Sequence, residues 1–258
     1  MIYCDTHVHS WRSFVGAPNM KLMNIANMAE TQGINVVAIT DHLMKSDDIK
    51  GLKLTKHDIE VFNSSLESNV RILFGVEVCE VDNTGQTLLT KELVDDLEFD
   101  LIIGGVHNTH IKMGSSLQEM VVRQHQHHIM MINNPYIEVL VHPWWLDKDE
   151  FSRFGIDWPF DMSFIPKELT IELARASNQT GTYIEISTMS GLCNKDTSDR
   201  FHLDLLDYYK LLNDEGALFT IGTDAHEVSE IGTYSLAKQL IKQVGIDESR
   251  FYLPKERK

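Results

Sequence analysis

Two kinds of hydrophobic pattern alternate along the chain. Short runs of β-branched and apolar residues, such as residues 34–42, are typical of strands that are buried on both faces. Stretches with apolar residues every three or four positions, such as residues 19–33, predict helices that bury one face. The predicted strands are residues 2–10, 34–42, 70–78, 99–107, 137–142, 182–188 and 217–224. The predicted helices are residues 19–33, 56–69, 90–98, 116–133, 166–180, 201–215 and 231–244.

The alternation of seven predicted strands with helices indicates a parallel sheet with right-handed crossovers. Such a sheet is either open and doubly wound or closed into a barrel. We favour a closed or nearly closed barrel, because polar side chains follow most of these strands and a barrel brings all strand ends to one mouth. No Gly/Ser-rich linker, repeat or break in composition divides the chain, so residues 1–258 are predicted to form a single α/β domain.

Two segments fall outside these periodic patterns. Residues 43–55 are polar, and we interpret them as a connection between the second strand and the second helix. Residues 144–165 are rich in Trp, Phe and Asp and show little periodicity. We expect this second segment to form a long loop over the mouth of the site and to influence specificity, because long ordered loops are often functional.

Residues able to bind a metal occur at the ends of the predicted strands. In the first strand Asp5, His7 and His9 project from one face, because side chains alternate along an extended chain. The strand-end residues of this kind are His7, His9, Asp41, His42, Glu77, His107, His142, Asp224 and His226. Imidazole and carboxylate ligands together suit zinc, manganese or iron, and the absence of paired cysteines argues against a structural zinc cluster.

Composition narrows the class of protein and its partners. The chain has 258 residues and a formal net charge of -15, which opposes binding to a nucleic-acid backbone and is expected to be offset partly by bound cations. Three widely spaced cysteines form no disulfide framework. We identify no membrane span and no signal peptide, so a cytoplasmic location is the simplest expectation. No pattern specifies an oligomeric state.

The order of the strand-end motifs resembles that of the polymerase and histidinol phosphatase (PHP) family. The motifs are Asp5-Thr6-His7-Val8-His9-Ser10, Ile39-Thr40-Asp41-His42, Gly75-Val76-Glu77, Val106-His107, Val141-His142-Pro143 and Gly222-Thr223-Asp224-Ala225-His226. They extend from the first strand to the seventh, and six motifs in order are far more specific than a single HxH. The resemblance implies a distorted seven-stranded (β/α)7 TIM-like barrel with two or three divalent metals at its mouth.

The resemblance also implies which side chains hold each metal. The first metal would be held by His7, His9, Glu77 and Asp224. The second would be held by Glu77, His107 and His142, with Glu77 bridging the two ions. His42 and His226 would contribute to a third, while Asp5 and Asp41 would orient ligating histidines.

The third metal position departs from the family pattern. Three-metal members carry another His or Asp some five or six residues after the HxH pair, and residues 11–16 contain neither. Arg12 lies in this segment and provides a fixed positive charge. Either Arg12 replaces the third ion or a phosphate oxygen of the substrate completes the site.

The expected activity is hydrolysis of a small phosphomonoester by a metal-bound hydroxide. No nucleophilic Ser or Cys motif is present, and a pair of cations about 3.5–4 Å apart activates water and neutralises developing charge. Stand-alone relatives of this length include histidinol phosphatases, so histidinol phosphate is the first candidate substrate. Candidate phosphate clamps are Arg12, Lys112, Arg175 and Arg200. His42, His226 or Asp41 would protonate the leaving alkoxide in the absence of a third metal.

Three alternative functions remain open from sequence. A nuclease acting on nucleic-acid ends is disfavoured by the net charge and by the lack of a basic stripe. A regulatory module that has lost catalysis is disfavoured by the near-complete set of ligand motifs. A metal-dependent hydrolase of C–N bonds shares the barrel and ligand types, but Glu77 and the Asp224-x-His226 ending favour a phosphoesterase.

Overall fold

Strands and helices alternate throughout the part of the chain that the structure, a computed structural model, describes: residues 4–65, 68–82, 84–145, 151–152, 155, 162–188 and 199–254. The strands are β1 (Cys4–Val8), β2 (Val36–Ile39), β3 (His42–Leu43), β4 (Arg71–Cys79), β5 (Leu101–Gly105), β6 (Val139–Leu140), β7 (Tyr183–Ser187) and β8 (Phe219–Gly222). The helices are α1 (Leu22–Thr31), α2 (Asp48–Ser64), α3 (Lys91–Leu97), α4 (Leu117–Asn133), α5 (Lys167–Thr180), α6 (Asp199–Asp214) and α7 (Ser235–Val244). Short 3-10 turns occupy Val228–Glu230 and Glu248–Arg250.

The strands form one parallel sheet in the order β1-β2-β4-β5-β6-β7-β8. The second predicted strand is divided into β2 and β3, and β3 pairs with the upper half of β4. The sheet closes beyond the end of β8, where the His9 N–H donates to the Ala225 carbonyl at 3.1 Å and the Asp224 N–H donates to the His7 carbonyl at 2.9 Å. These contacts join the first strand to the last, so the predicted nearly closed seven-stranded barrel is confirmed.

Successive side chains of a strand point to opposite faces of the sheet, and the two faces form two separate apolar clusters. On β4, Ile72, Phe74, Val76 and Val78 belong to the large cluster that packs the barrel against its helices. Leu73 on the opposite face joins a smaller cluster that fills the barrel. The members of the smaller cluster are Ala38, Leu73, Leu101, Ile103, Val139, Val141 and Tyr252. The inward face of β4 therefore continues from Leu73 through Gly75 and Glu77 to Cys79 at the mouth.

The second helix begins eight residues before its predicted start. Helix α2 covers Asp48–Ser64, so the second half of the polar segment at residues 43–55 is helical rather than a connection. The Asp48 carboxylate accepts hydrogen bonds from the Met44 and Lys45 N–H groups at 2.9 and 3.0 Å and fixes the entry to the helix. The helix buries only Leu52, Thr55 and Ile59, and this narrow stripe explains why the apolar period was missed.

The predicted loop at residues 144–165 falls largely on residues 146–150, 153–154 and 156–161, which lie outside the described residues. Its described ends include Trp144 and Ile165, which are both buried. Among the helices that the structure describes, none has the length and apolar character needed to cross a membrane.

Candidate metal centre

All of the predicted metal ligands meet at the carboxyl ends of the strands. Glu77 lies at the centre of this group and is completely buried. The histidines around it come from β1, the residue that follows β1, β3, and the segments after β5, β6 and β8. They are His7, His9, His42, His107, His142 and His226. Strand ends scattered over the sequence converge because a parallel barrel places them all at one mouth.

The two carboxylate oxygens of Glu77 face two different sets of imidazoles. Oε1 lies 3.3 Å from His107 Nε2 and 3.1 Å from His142 Nε2. Oε2 lies 3.3 Å from His7 Nε2 and 3.0 Å from His42 Nδ1. Glu77 would therefore help to hold one cation beside His107 and His142 and another beside His7.

Asp224 provides a second carboxylate on the Oε2 side of Glu77. Its Oδ1 lies 3.3 Å from His7 Nε2, 3.2 Å from His9 Nε2 and 3.3 Å from His226 Nε2. The backbone φ of Asp224 is 57° and that of His142 is 30°. Both values lie in the left-handed region that L-residues rarely adopt, so the chain is held in a strained conformation where it delivers two of the expected ligands.

The donors present fit a bound cation. His9 is completely buried, yet neither of its ring nitrogens has a hydrogen-bond partner with good geometry. A buried polar atom without a hydrogen-bond partner destabilises the fold by about 1–3 kcal/mol, so the unpaired nitrogens of His9 indicate that a ligand binds there. Among the residues that the structure describes, four sets of three side chains place their donor atoms within 4.8 Å of one another, including His7–His9–Asp224 and His7–Glu77–His142.

Charge is balanced within the centre by coupled proton equilibria. Burial raises the pKa of Glu77, but the neighbouring His42, His7 and His107 offset this effect, and the pKa lies well below its ordinary value. Burial lowers the pKa of His7, but Asp224, Glu185 and Glu77 outweigh it, and the pKa is raised. Burial lowers the pKa of His42 to about 3 and that of His107 to about 4. These last two imidazoles are neutral, which is the form that binds metal.

Glu185 is a site residue that was missed by the sequence analysis. It lies on β7, is completely buried, and places Oε1 3.0 Å from His7 Nδ1. Its Oε2 accepts a hydrogen bond from the His142 N–H at 2.9 Å. One carboxylate therefore positions two expected metal ligands. The signal that could have found it is a single acidic residue within an otherwise uncharged strand, since such a buried charge needs partners.

Asp5 and Asp41, which are expected to orient ligating histidines, bind backbone and hydroxyl groups rather than imidazole rings, and Asp5 also accepts from the His7 N–H at 3.3 Å. Asp5 accepts hydrogen bonds from the Thr223 N–H at 3.0 Å and from the Thr223 hydroxyl at 2.6 Å. Asp41 accepts from the Ser10 N–H at 2.7 Å, the Ser10 hydroxyl at 2.7 Å and the Thr55 hydroxyl at 2.9 Å. The two aspartates fix the segments next to Asp224 and His9, while Glu185 contacts an imidazole directly.

Comparison with known proteins agrees with the observed fold. The PHP domain family matches residues 5–189, which is more than half of the chain. The chain belongs to the PHP domain family. The matched range includes the expected ligands from His7 to His142, and the structure adds Asp224 and His226 to the same mouth.

Similar proteins cover nearly the whole PHP chain. A probable phosphatase of Thermoanaerobacter sp. (strain X514) is 25% identical over 244 residues, which are 95% of this chain and 87% of that protein. A histidinol phosphate phosphatase of Lactococcus lactis subsp. lactis, solved with zinc, L-histidinol and phosphate, is 16% identical with a TM-score of 0.61 and coverage of 95% and 94%. A putative histidinol phosphatase of Listeria monocytogenes is 13% identical, with a TM-score of 0.67 and coverage of 90% and 98%. The structural likeness supports the fold.

An aromatic side chain, Phe14, packs against His42, one of the two histidines expected at a third metal position. The His42 ring stacks on two neighbours: the centroid of the His9 ring lies 4.6 Å away and that of the Phe14 ring lies 4.9 Å away. Phe14 belongs to the segment where three-metal relatives supply a ligand. His226 lies nearby, and its side chain is 41% exposed. His42 also contacts the central Glu77 directly, with its Nδ1 3.0 Å from Oε2.

The candidate phosphate clamps differ in their positions. Arg12 lines a cleft of about 560 Å3 beside His42, and its Nε donates to Asp58 Oδ2 at 2.7 Å. Arg175 and Arg200 lie on α5 and α6 in ion pairs with acidic side chains, and both are largely exposed. Lys112 is also exposed. Only Arg12 among the four lines the cleft at the mouth, so the structure does not support the other three as clamps.

Proposed function

We propose that this PHP chain is a metal-dependent phosphoesterase that hydrolyses a small phosphomonoester. The observation that carries the proposal is the division of the Glu77 carboxylate between two sets of histidines. A two-cation site is the arrangement that phosphatases use for in-line displacement at phosphorus. The names of the similar proteins support the same class of activity, since several are probable phosphatases.

The expected metals are two or three divalent ions from among Zn, Mn and Fe. His7, His9, Glu77 and Asp224 would hold the first, and Glu77, His107 and His142 the second. Such ions, when bound, supply Lewis acidity: they polarise phosphoryl oxygens and lower the pKa of water to about 7. The remaining steps depend on side chains of this chain.

His226 is the side chain best placed to protonate the leaving alkoxide. Both carboxylate oxygens of Asp41 are occupied by hydroxyl and N–H donors, so this carboxylate is committed to its structural contacts. His42 directs its Nδ1 at Glu77, within the centre. The side chain of His226 is partly exposed at the mouth, where a leaving group would depart into solvent.

Histidinol phosphate is the first substrate that we propose to test. The cleft beside the centre is lined by groups of both charges, including Arg12 and Lys45 as well as Asp47 and Asp48. A cationic wall suits the phosphate, and an acidic wall suits a basic organic part such as an ammonium or imidazolium group. The Lactococcus lactis protein that shares the fold was solved with L-histidinol and phosphate.

The test is phosphate release from a panel of esters by metal-stripped protein that has been reloaded with Zn, Mn, Fe or Mg. The panel contains histidinol phosphate, phosphoserine, a sugar phosphate and an aryl phosphate, with an aryl phosphodiester and a single-stranded oligonucleotide as controls. We expect at least about two metal equivalents and monoester hydrolysis that requires them. Absence of metal uptake, or faster cleavage of the diester and oligonucleotide than of every monoester, would overturn the proposal.

A further inference from the structure

Cys79 lies inside the metal centre, although no motif of the sequence analysis includes it. It is the last residue of β4 and follows Glu77 by two positions, so both side chains project from the inward face of the strand. Cys79 is completely buried, and its Sγ lies 3.6 Å from His42 Nδ1. Cys79 thus contacts a polar ring in the mouth of the barrel.

The thiol belongs to a three-sided group of metal-binding atoms. Donor atoms of His42, Cys79 and His107 all lie within 4.8 Å of one another. The same His42 Nδ1 that faces the thiol lies 3.0 Å from Glu77 Oε2, so sulfur and carboxylate flank a single nitrogen. A structural cysteine in an apolar core is surrounded by hydrocarbon, whereas this one is adjacent to the histidines.

Neighbouring polar atoms without partners independently indicate a ligand in this space. His107 Nδ1 is buried and has no hydrogen-bond partner. His9 stacks on His42 at 4.6 Å and is completely buried, and neither of its ring nitrogens has a hydrogen-bond partner. Ring nitrogens of His107 and His9 thus have no hydrogen-bond partner in the mouth that also contains the sulfur, as expected where an ion binds.

We propose that Cys79 is a sulfur ligand of the metal centre and, with His42 and His107, forms a position selective for a thiophilic cation such as zinc. This inference rests on the proposed metal centre. Binding converts the thiol to a thiolate: the S–H proton leaves to solvent, a metal–sulfur bond forms, and no electron is transferred. Thiolate ligands favour zinc over manganese and magnesium, which prefer oxygen. Cys79 therefore narrows the metals expected from sequence to zinc at this position.

X-ray absorption at the zinc edge tests the proposal on protein loaded with zinc. Wild-type protein should show a sulfur neighbour at about 2.3 Å in addition to nitrogen and oxygen neighbours at about 2.0–2.2 Å. Cys79→Ser should lose the sulfur signal, and its preference for zinc over manganese should fall about 10–100-fold, the scale of losing a group that supports a metal site. Cobalt-loaded protein should show a sulfur-to-cobalt absorption band that Cys79→Ser lacks.

The matched control is the double variant Cys4→Ser/Cys193→Ser, in which Cys79 is the only remaining cysteine. It should keep the sulfur signal, and it also tests the proposal if Cys79→Ser fails to fold. Zinc-loaded wild type with only nitrogen and oxygen neighbours, or loss of sulfur in the double variant, would overturn the role of Cys79. These outcomes leave the metal-dependent hydrolase in place, whereas failure to bind any metal would overturn the proposed function as well.

Discussion

Replacement of Glu185 by Gln should weaken metal binding although Glu185 is not an expected metal ligand. The carboxylate is completely buried and holds His7 Nδ1 at 3.0 Å and the His142 N–H at 2.9 Å. By holding a proton on His7 Nδ1, it leaves Nε2 as the nitrogen that faces Glu77 and Asp224. An amide has one oxygen, so Gln can accept from only one of these two donors.

The magnitude follows from the contact that is lost. A hydrogen bond to a charged group contributes about 1.5–3 kcal/mol, and a buried donor left without a partner adds to the loss. If Gln instead donates to His7 Nδ1, the proton of the neutral ring moves to Nε2 and blocks the metal-binding nitrogen. At about 1.4 kcal/mol per tenfold, the affinity for the first metal should fall at least about tenfold. Loss of a carboxylate that orients a metal-bound histidine typically costs about 10–100-fold.

Competition with a chelator measures this affinity, and Glu172→Gln is the matched control. Glu172 also binds a histidine, with its Oε2 2.8 Å from His125 Nε2, but its side chain is 60% exposed and lies on α5. We expect Glu172→Gln to bind metal like the wild type. Unchanged zinc affinity in Glu185→Gln would refute the positioning role, and equal losses in both variants would show that the effect is not specific to the centre.

Gly222→Ala perturbs the same contact from the opposite side. A Cβ at Gly222 would lie 2.0 Å from Glu185 Oε1 and 2.6 Å from His7 Cβ, so the carboxylate has to move. Gly222→Ala should therefore lose metal affinity, as Glu185→Gln does. Denaturant unfolding of the metal-free proteins separates this effect from a general loss of stability.

Three further predictions concern the bridge, the cleft and pH. Glu77→Gln should lose at least one metal equivalent and most activity, because it keeps the shape but not the charge; wild-type turnover would exclude bridging. Arg12→Ala should raise KM for a phosphomonoester at least about tenfold, with metal content unchanged, since a charged hydrogen bond is worth about 1.5–3 kcal/mol; an unchanged KM would remove Arg12 from the site. Burial, then neighbouring histidines, lowers the pKa of His128 well below 6.5, so its neutral form stabilises the metal-free fold above pH 6.5 and this stability is lost on acidification. In His128→Gln the slope of the free energy of unfolding against pH should decrease below pH 6.5 by up to about 1.4 kcal/mol per pH unit, and a slope equal to that of the wild type would exclude this role of His128.

The barrel and the position of the expected ligands at its mouth could be predicted from sequence because both depend on local periods. Buried parallel strands are continuous apolar runs, and a polar residue directly after such a run lies at the mouth wherever the strand sits in the barrel. His107 and His142 were found in this way without knowledge of their neighbours. The error at α2 has the same origin, since one apolar residue per turn among charged residues gives a weak helical period.

What only the tertiary structure decided depends on register between distant strands. Glu185 and His7 are 178 residues apart, and they meet because β7, β8 and β1 adjoin where the barrel closes. Cys79 faces His42 because β3 pairs with β4. This pairing depends on the division of the second predicted strand into β2 and β3, which no sequence period indicates. The pairing of Arg12 with Asp58 likewise depends on where α2 packs. Periodicity determines which face a side chain occupies, whereas the register of the closed sheet determines which side chains share that face.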